Sequence, residues 1–97
     1  MAPNRDDIRR EIVDAIEVVA GEDFSALEDE DRPITDLGLK SEHGVDFAGE
    51  IEIRFQIEID PKINPFVDDE GKCARTLKEI VDLVVSIVDN QEEEGDE

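Results

Sequence analysis

The sequence predicts an all-α bundle with a clear helix near each end, and three observations lead there. A segment near each end of the chain carries apolar residues at helical spacing beside recognisable caps. Apolar residues make up 38% and aromatic residues 4% of the composition, which fits slim helices better than an aromatic-rich β-sandwich. The 97 residues suit one short domain with a modest core and leave no room for a deep cleft between two lobes. No internal repeat is present.

The first helix is expected near residues 4–20. Asn4 can cap it, Asp7 follows three positions on, and Ile8, Ile12, Ala15, Ile16 and Val19 recur along one face. Gly21 supplies the stop. A polar loop then runs over 22–35, with Phe24, Leu27 and Ile34 available to tack it onto the core, and Pro33 argues against a regular element there. The last helix is expected over 76–88, where Thr76 and Glu79 form a capping box ahead of Leu77, Ile80, Val81, Val84, Ile87 and Val88. Residues 89–97 are polar, mostly acidic and without an apolar anchor, so the domain is drawn at 1–88 and 89–97 reads as a disordered acidic tail.

The middle of the chain is ambiguous. Ile51, Ile53, Phe55, Ile57 and Ile59 alternate with polar residues, and by periodicity alone that is a strand. As a helix extended upstream, Val45, Ala48, Ile51 and Phe55 form a stripe, but Ile53 falls off it and Gly44 and Gly49 weaken it. Residues 61–75 hold Pro65, the acidic run Asp68-Asp69-Glu70 and Gly71, which reads as a loop with at most a short helix near 66–69. The acidic run lacks the ligand alternation and glycine offset of an EF-hand, so it reads as a solvated turn and not a metal site.

A formal charge of −19 repels phosphate backbones and anionic lipid, so neither nucleic acid nor a membrane is an expected partner. The same field attracts basic protein patches, although solubility alone would also account for it. No apolar run reaches membrane-spanning length, and residues 1–10 lack a signal-peptide core. Cys73 is the single cysteine, so no internal disulfide can form and a cytoplasmic setting is expected. Cys73 and His43 do not make a structural zinc site, and nothing local joins them as nucleophile and base.

The segment Asp36-Leu37-Gly38-Leu39-Lys40-Ser41-Glu42-His43-Gly44-Val45-Asp46-Phe47 resembles the attachment region of the acyl carrier proteins. In that family a Leu-Gly pair precedes, at short spacing, a serine that opens the second helix and carries a 4′-phosphopantetheine arm. Leu37 and Gly38 stand at that offset from Ser41. Val45, Phe47, Ile51, Phe55 and Ile59 match the family's helix-two core and the isoleucine beyond it, and Thr76-Leu77 resembles its capped last helix. The resemblance implies an all-α, acyl-carrier-like bundle of three main helices, the middle one at 41–57 against the local alternation, with room for a short fourth within 61–75.

It also implies a function. Ser41 would take the arm from coenzyme A through a phosphopantetheinyl transferase, with Lys40 a cation beside the new phosphate. Glu42, Asp46, Glu50 and Glu52 would dock onto basic patches of acyl-loading and acyl-transferring enzymes. Such a chain is a monomeric carrier and not an enzyme: it holds acyl or related groups as thioesters in fatty acid or secondary metabolite biosynthesis. Three departures point to a specialised pathway. Lys40 stands where the family usually has an acidic residue, Glu42 replaces an aliphatic one, and 61–75 is longer than the usual link. Plainer readings stand beside these. Ser41 could be a simple N-cap worth roughly 1 kcal/mol, the acidic residues a solvated face, and the chain an unmodified interaction module with the same fold. Gly38 reads as the turn before the helix or an ordinary loop glycine. His43 reads as exposed or lightly involved with the arm, and Cys73 as an incidental thiol.

Overall fold

Asn4 starts the first helix as its sequence position predicts: its Oδ1 accepts the Asp7 N–H at 2.8 Å. The computed structural model describes residues 4–23, 27–68, 71 and 73–95, of which 91–95 by backbone alone. Helix α1 spans Arg5–Ala20, α2 spans Ser41–Phe55 and α3 spans Leu77–Gly95. The fold is all-helical; among the described residues the only β pairing is an isolated bridge between Val67 and Ala74.

Helix α1 buries Ile8, Ile12, Ala15 and Ile16, a stripe at the 3.6-residue period, and packs against both α2 and α3. It ends where Gly21, at φ 71°, turns left-handed and its N–H reaches the Glu17 carbonyl at 2.8 Å. Leu27 and Ile34 do pack against the core, whereas Phe24 lies outside the described residues. The loop is also clasped to the start of α3. Leu77 and Lys78 donate their N–H groups to the Asp31 and Asp29 carbonyls at 2.7 and 3.0 Å, and Arg32 donates to the Ala74 carbonyl.

The capping box at α3 is present in full. Thr76 N–H donates to Glu79 Oε1 at 2.9 Å and Glu79 N–H to Thr76 Oγ1 at 3.2 Å. That backbone N–H of Thr76 holds the Glu79 carboxyl below its ordinary pKa, ahead of smaller help from the Thr76 hydroxyl, Arg32 and Arg75. Leu77, Ile80, Val81, Val84 and Val88 supply its buried face. The helix does not stop at Val88, however. Its backbone continues to Gly95, so the expected disordered tail is helical over 89–95, and residues 96–97 lie outside the described residues. Glutamine and glutamate are good helix formers, and no glycine or proline interrupts them before Gly95.

The ambiguous middle divides between its two readings. Helix α2 ends at Phe55, two residues short of the expected 57, where Gln56 adopts a left-handed φ of 54°. The chain then extends, with Ile57 and Ile59 both buried. Glu52 holds this exit twice: its carbonyl accepts from Ile57 N–H at 3.2 Å and its Oε2 from Ile59 N–H at 2.9 Å. No helix forms near 66–69 in the described residues. Phe66 lies in a turn, and Asp68 N–H to Cys73 carbonyl (2.8 Å) and Arg75 N–H to Phe66 carbonyl (2.8 Å) close a small antiparallel loop. The connecting segment is nevertheless part of the core. Pro65 and Phe66 are fully buried, and the Phe66 ring lies 5.0 Å from that of Phe47 on α2.

One polar cluster ties α1 to α2. The Arg54 guanidinium reaches Asp14 at 2.7 Å, Glu11 at 2.8 Å and Glu50 at 3.3 Å, with only 18% of its side chain exposed. Desolvation works against its charge, but the hydrogen bonds it donates to Asp14, Glu11 and Glu50, with the negative charge of Asp14, outweigh it and raise the Arg54 pKa. Among the described residues, no helix is long and apolar enough to cross a membrane.

Candidate functional site at the start of α2

Leu39 is buried and its N–H donates to the Pro33 carbonyl at 3.1 Å, which brings the chain into α2. One residue earlier, Gly38 adopts φ 73° with open space where a Cβ would stand, so its backbone conformation and not crowding calls for glycine. Lys40 then takes the N-cap position and Ser41 the first helical one. The reading of Ser41 as a plain N-cap is therefore displaced by one residue.

A lysine side chain cannot accept a hydrogen bond from the helix, so Lys40 leaves its own capping task undone. His43 compensates. At the third helical position its Nδ1 accepts the Lys40 N–H at 2.9 Å, the place usually held by glutamate or glutamine. The imidazole must leave Nδ1 unprotonated to do so, and that nitrogen is engaged by the backbone. Expected to be exposed or lightly involved with the arm, His43 is half-buried and holds the backbone at the helix start. Its signal was its spacing from Lys40, visible once the N-cap is placed there.

Ser41 is exposed, and its hydroxyl makes no hydrogen bond among the described residues. It sits at the positive end of the α2 dipole, where the first turn presents N–H groups. Lys40 is exposed beside it and makes no ion pair among the described residues. On the next turn Asn64, from the 61–75 loop, donates Nδ2–H to the Ser41 carbonyl at 2.8 Å. Nothing in the local sequence pointed to Asn64.

The four acidic residues expected on one docking face separate into two kinds. Glu42 and Asp46 are exposed and stand free of ion pairs among the described residues. Glu50 is bound to Arg54, and Glu52 holds the Ile59 N–H. The core stripe also differs from the expected one: Gly44, Phe47 and Ile51 face inward, whereas Val45 is 64% exposed. Ile53, left off the expected stripe, is 76% exposed. Val45, Glu42, Asp46 and Ile53 thus share the solvent side of α2. Cys73 is exposed on the 61–75 loop, and its carbonyl serves the small antiparallel pairing.

Three surface depressions stand out, and Ser41 lines none of them. One of about 590 Å³ lies between the exit from α2 and α3, walled by Ile59, Ile63 and Ile87. The other two flank α1.

Together these features define a three-helix all-α domain that presents, at the N-terminus of its middle helix, a serine whose hydroxyl has no hydrogen bond among the described residues. No protein-family model matches the chain, and searches of curated proteins and of solved structures found no match.

Proposed function

We propose that this chain is a carrier protein of a specialised biosynthetic pathway, modified on Ser41 with a 4′-phosphopantetheine arm. The observation that carries the reading is an exposed, unpartnered Ser41 hydroxyl at the first position of α2, directly after the left-handed Gly38 turn and the unpaired Lys40. These residues fit the group. Ser41 Oγ forms the new O–P bond, while 3′,5′-ADP leaves coenzyme A and the hydroxyl proton passes to the transferase. The first-turn N–H groups and Lys40 then neutralise the phosphodiester. The arm supplies a flexible terminal thiol on which acyl or related groups ride as thioesters. Intact-mass analysis after incubation with coenzyme A and a broad-specificity transferase tests it. A gain of one phosphopantetheine is expected, and unmodified protein with every transferase tried, and from its own cells, would refute it.

Partner enzymes would meet the face formed by Glu42, Val45, Asp46 and Ile53, an apolar pair interleaved with free carboxylates. Reversing Glu42 and Asp46 to Lys is expected to slow association with a basic partner on the order of tenfold at low salt, fading as salt rises. Glu50 and Glu52 are poorer probes, since both hold the fold. An unchanged association rate in the double variant would count against this face.

The second reading is an unmodified interaction module. Glu42 beside the serine and the exposed Val45 and Ile53 favour it, since such a face can bind a partner without an arm. The same mass measurement separates the two.

A further inference from the structure

The 61–75 loop, longer than the resemblance requires, is joined to the candidate attachment site by one side chain. Asn64 Nδ2–H donates to the Ser41 carbonyl at 2.8 Å, and Asn64 Oδ1 accepts the Phe66 N–H at 3.0 Å. Phe66 is fully buried with its ring 5.0 Å from that of Phe47, so the far end of this connection is anchored in the core. The near end is fitted just as closely. A Cβ built on Gly44 would come within 1.9 Å of Asn64 Oδ1, so Gly44 is the gap in α2 through which Asn64 reaches the helix backbone. This accounts for a glycine in mid-helix, where its propensity cost is near 1 kcal/mol relative to alanine.

We propose that Asn64 is the positioning residue for Ser41, and that the 61–75 loop sets the geometry of the first turn of α2 for the transferase. The inference rests on the carrier reading and extends it to a residue outside the attachment segment. Two side chains reach the backbone at the start of α2. His43 Nδ1 holds the Lys40 N–H, and Asn64 holds the Ser41 carbonyl. The first is local to α2, whereas the second comes from across the fold. A transferase docking on Ser41 meets a turn already ordered by the loop, and so avoids the cost of ordering it on binding.

Two variants separate positioning from packing. Asn64→Asp keeps an Oδ acceptor for the Phe66 N–H but has no donor for the Ser41 carbonyl; Asn64→Ala loses both. With coenzyme A and a transferase that modifies the wild type, both variants are expected to raise KM for the carrier roughly fivefold, the worth of one hydrogen bond. The kcat should stay within about twofold of wild type, since no group touching the reacting phosphorus changes. Amide exchange at Phe66 should quicken in Asn64→Ala and stay slow in Asn64→Asp. An Asn64→Asp variant with wild-type KM overturns the proposal. If no transferase modifies even the wild type, the carrier reading fails and the backbone alone decides the positioning role. Faster exchange of the Val45 amide, which donates to the Ser41 carbonyl within α2, in Asn64→Asp would sustain it. Unchanged Val45 exchange would end it.

Discussion

Replacing Phe66 with Ala is expected to cost the fold about 3–5 kcal/mol, the range for deleting a buried aromatic ring. Phe66 belongs to a connecting loop, a kind of segment that usually contributes little to stability. Here it is fully buried against Phe47, and its carbonyl and N–H are both engaged, by Arg75 and Asn64. A chain of 97 residues with 4% aromatic content has few large side chains with which to build a core, so each weighs heavily. Against a total stability of about 5–15 kcal/mol, the loss would leave a marginal protein. Phe66→Leu retains most of the volume and should cost under about 2 kcal/mol. Urea unfolding of the two variants measures the difference. A Phe66→Ala protein as stable as wild type would mean that the 61–75 loop lies outside the cooperative core.

The second large effect falls on Arg54. Arg54→Met preserves much of the side-chain volume while leaving Glu11, Asp14 and Glu50 gathered without a cation, and should cost about 2 kcal/mol. The carboxylates keep partial access to water, with side chains 47%, 58% and 32% exposed, so the loss stays below that of a fully buried pair. Charge balance makes the site sensitive: 29 acidic residues face 10 basic ones, so cations that could replace Arg54 are outnumbered. The deficit should shrink as ionic strength rises from ~0.01 M to ~0.15 M, which shortens the screening length from ~30 Å to ~8 Å. Arg5→Met, whose pair with Asp82 is about half exposed at both ends, is the comparison and should cost under about 1 kcal/mol. Equal losses in the two variants would show that the three-carboxylate cluster has no special role.

The two outer helices were legible because their signals are local. Asn4 with Asp7, Gly21 with Glu17, and Thr76 with Glu79 are contacts between residues a few positions apart, and the structure makes each of them. The middle was harder because its alternating isoleucines serve three different ends. Ile51 is helical core, Ile53 faces solvent, and Ile57 and Ile59 are buried from an extended segment beyond the left-handed Gln56. No single period describes them, so a strand pattern spanned a helix and its exit.

Other features were hidden because they depend on distant residues. Gly44 faces inward in place of Val45, and Asn64 fills the space that a side chain there would need. Placing the N-cap at Ser41 in place of Lys40 concealed the role of His43. The carboxylates of Glu50 and Glu52 looked like those of Glu42 and Asp46 until Arg54 and the Ile59 N–H claimed them. The start of α2 at an exposed Ser41 is where the Leu-Gly lead predicts a helix to open.

The measurement that bears most directly on the central claim is whether a phosphopantetheine arm is gained, and on which residue. Wild type and Ser41→Ala, treated identically with coenzyme A and a permissive transferase, would be digested and their peptides weighed. The other described hydroxyls offer poorer acceptors. Thr76 Oγ1 is occupied as a cap, Ser86 lies within α3, and Thr35 sits in the turn before the Leu-Gly pair; Ser25 is outside the described residues. The account predicts phosphopantetheine on the wild-type peptide containing Ser41 and none anywhere on Ser41→Ala. An Ala variant that gains the arm as readily as wild type would contradict the assignment of Ser41, and a wild type that gains it under no condition would contradict the carrier function itself.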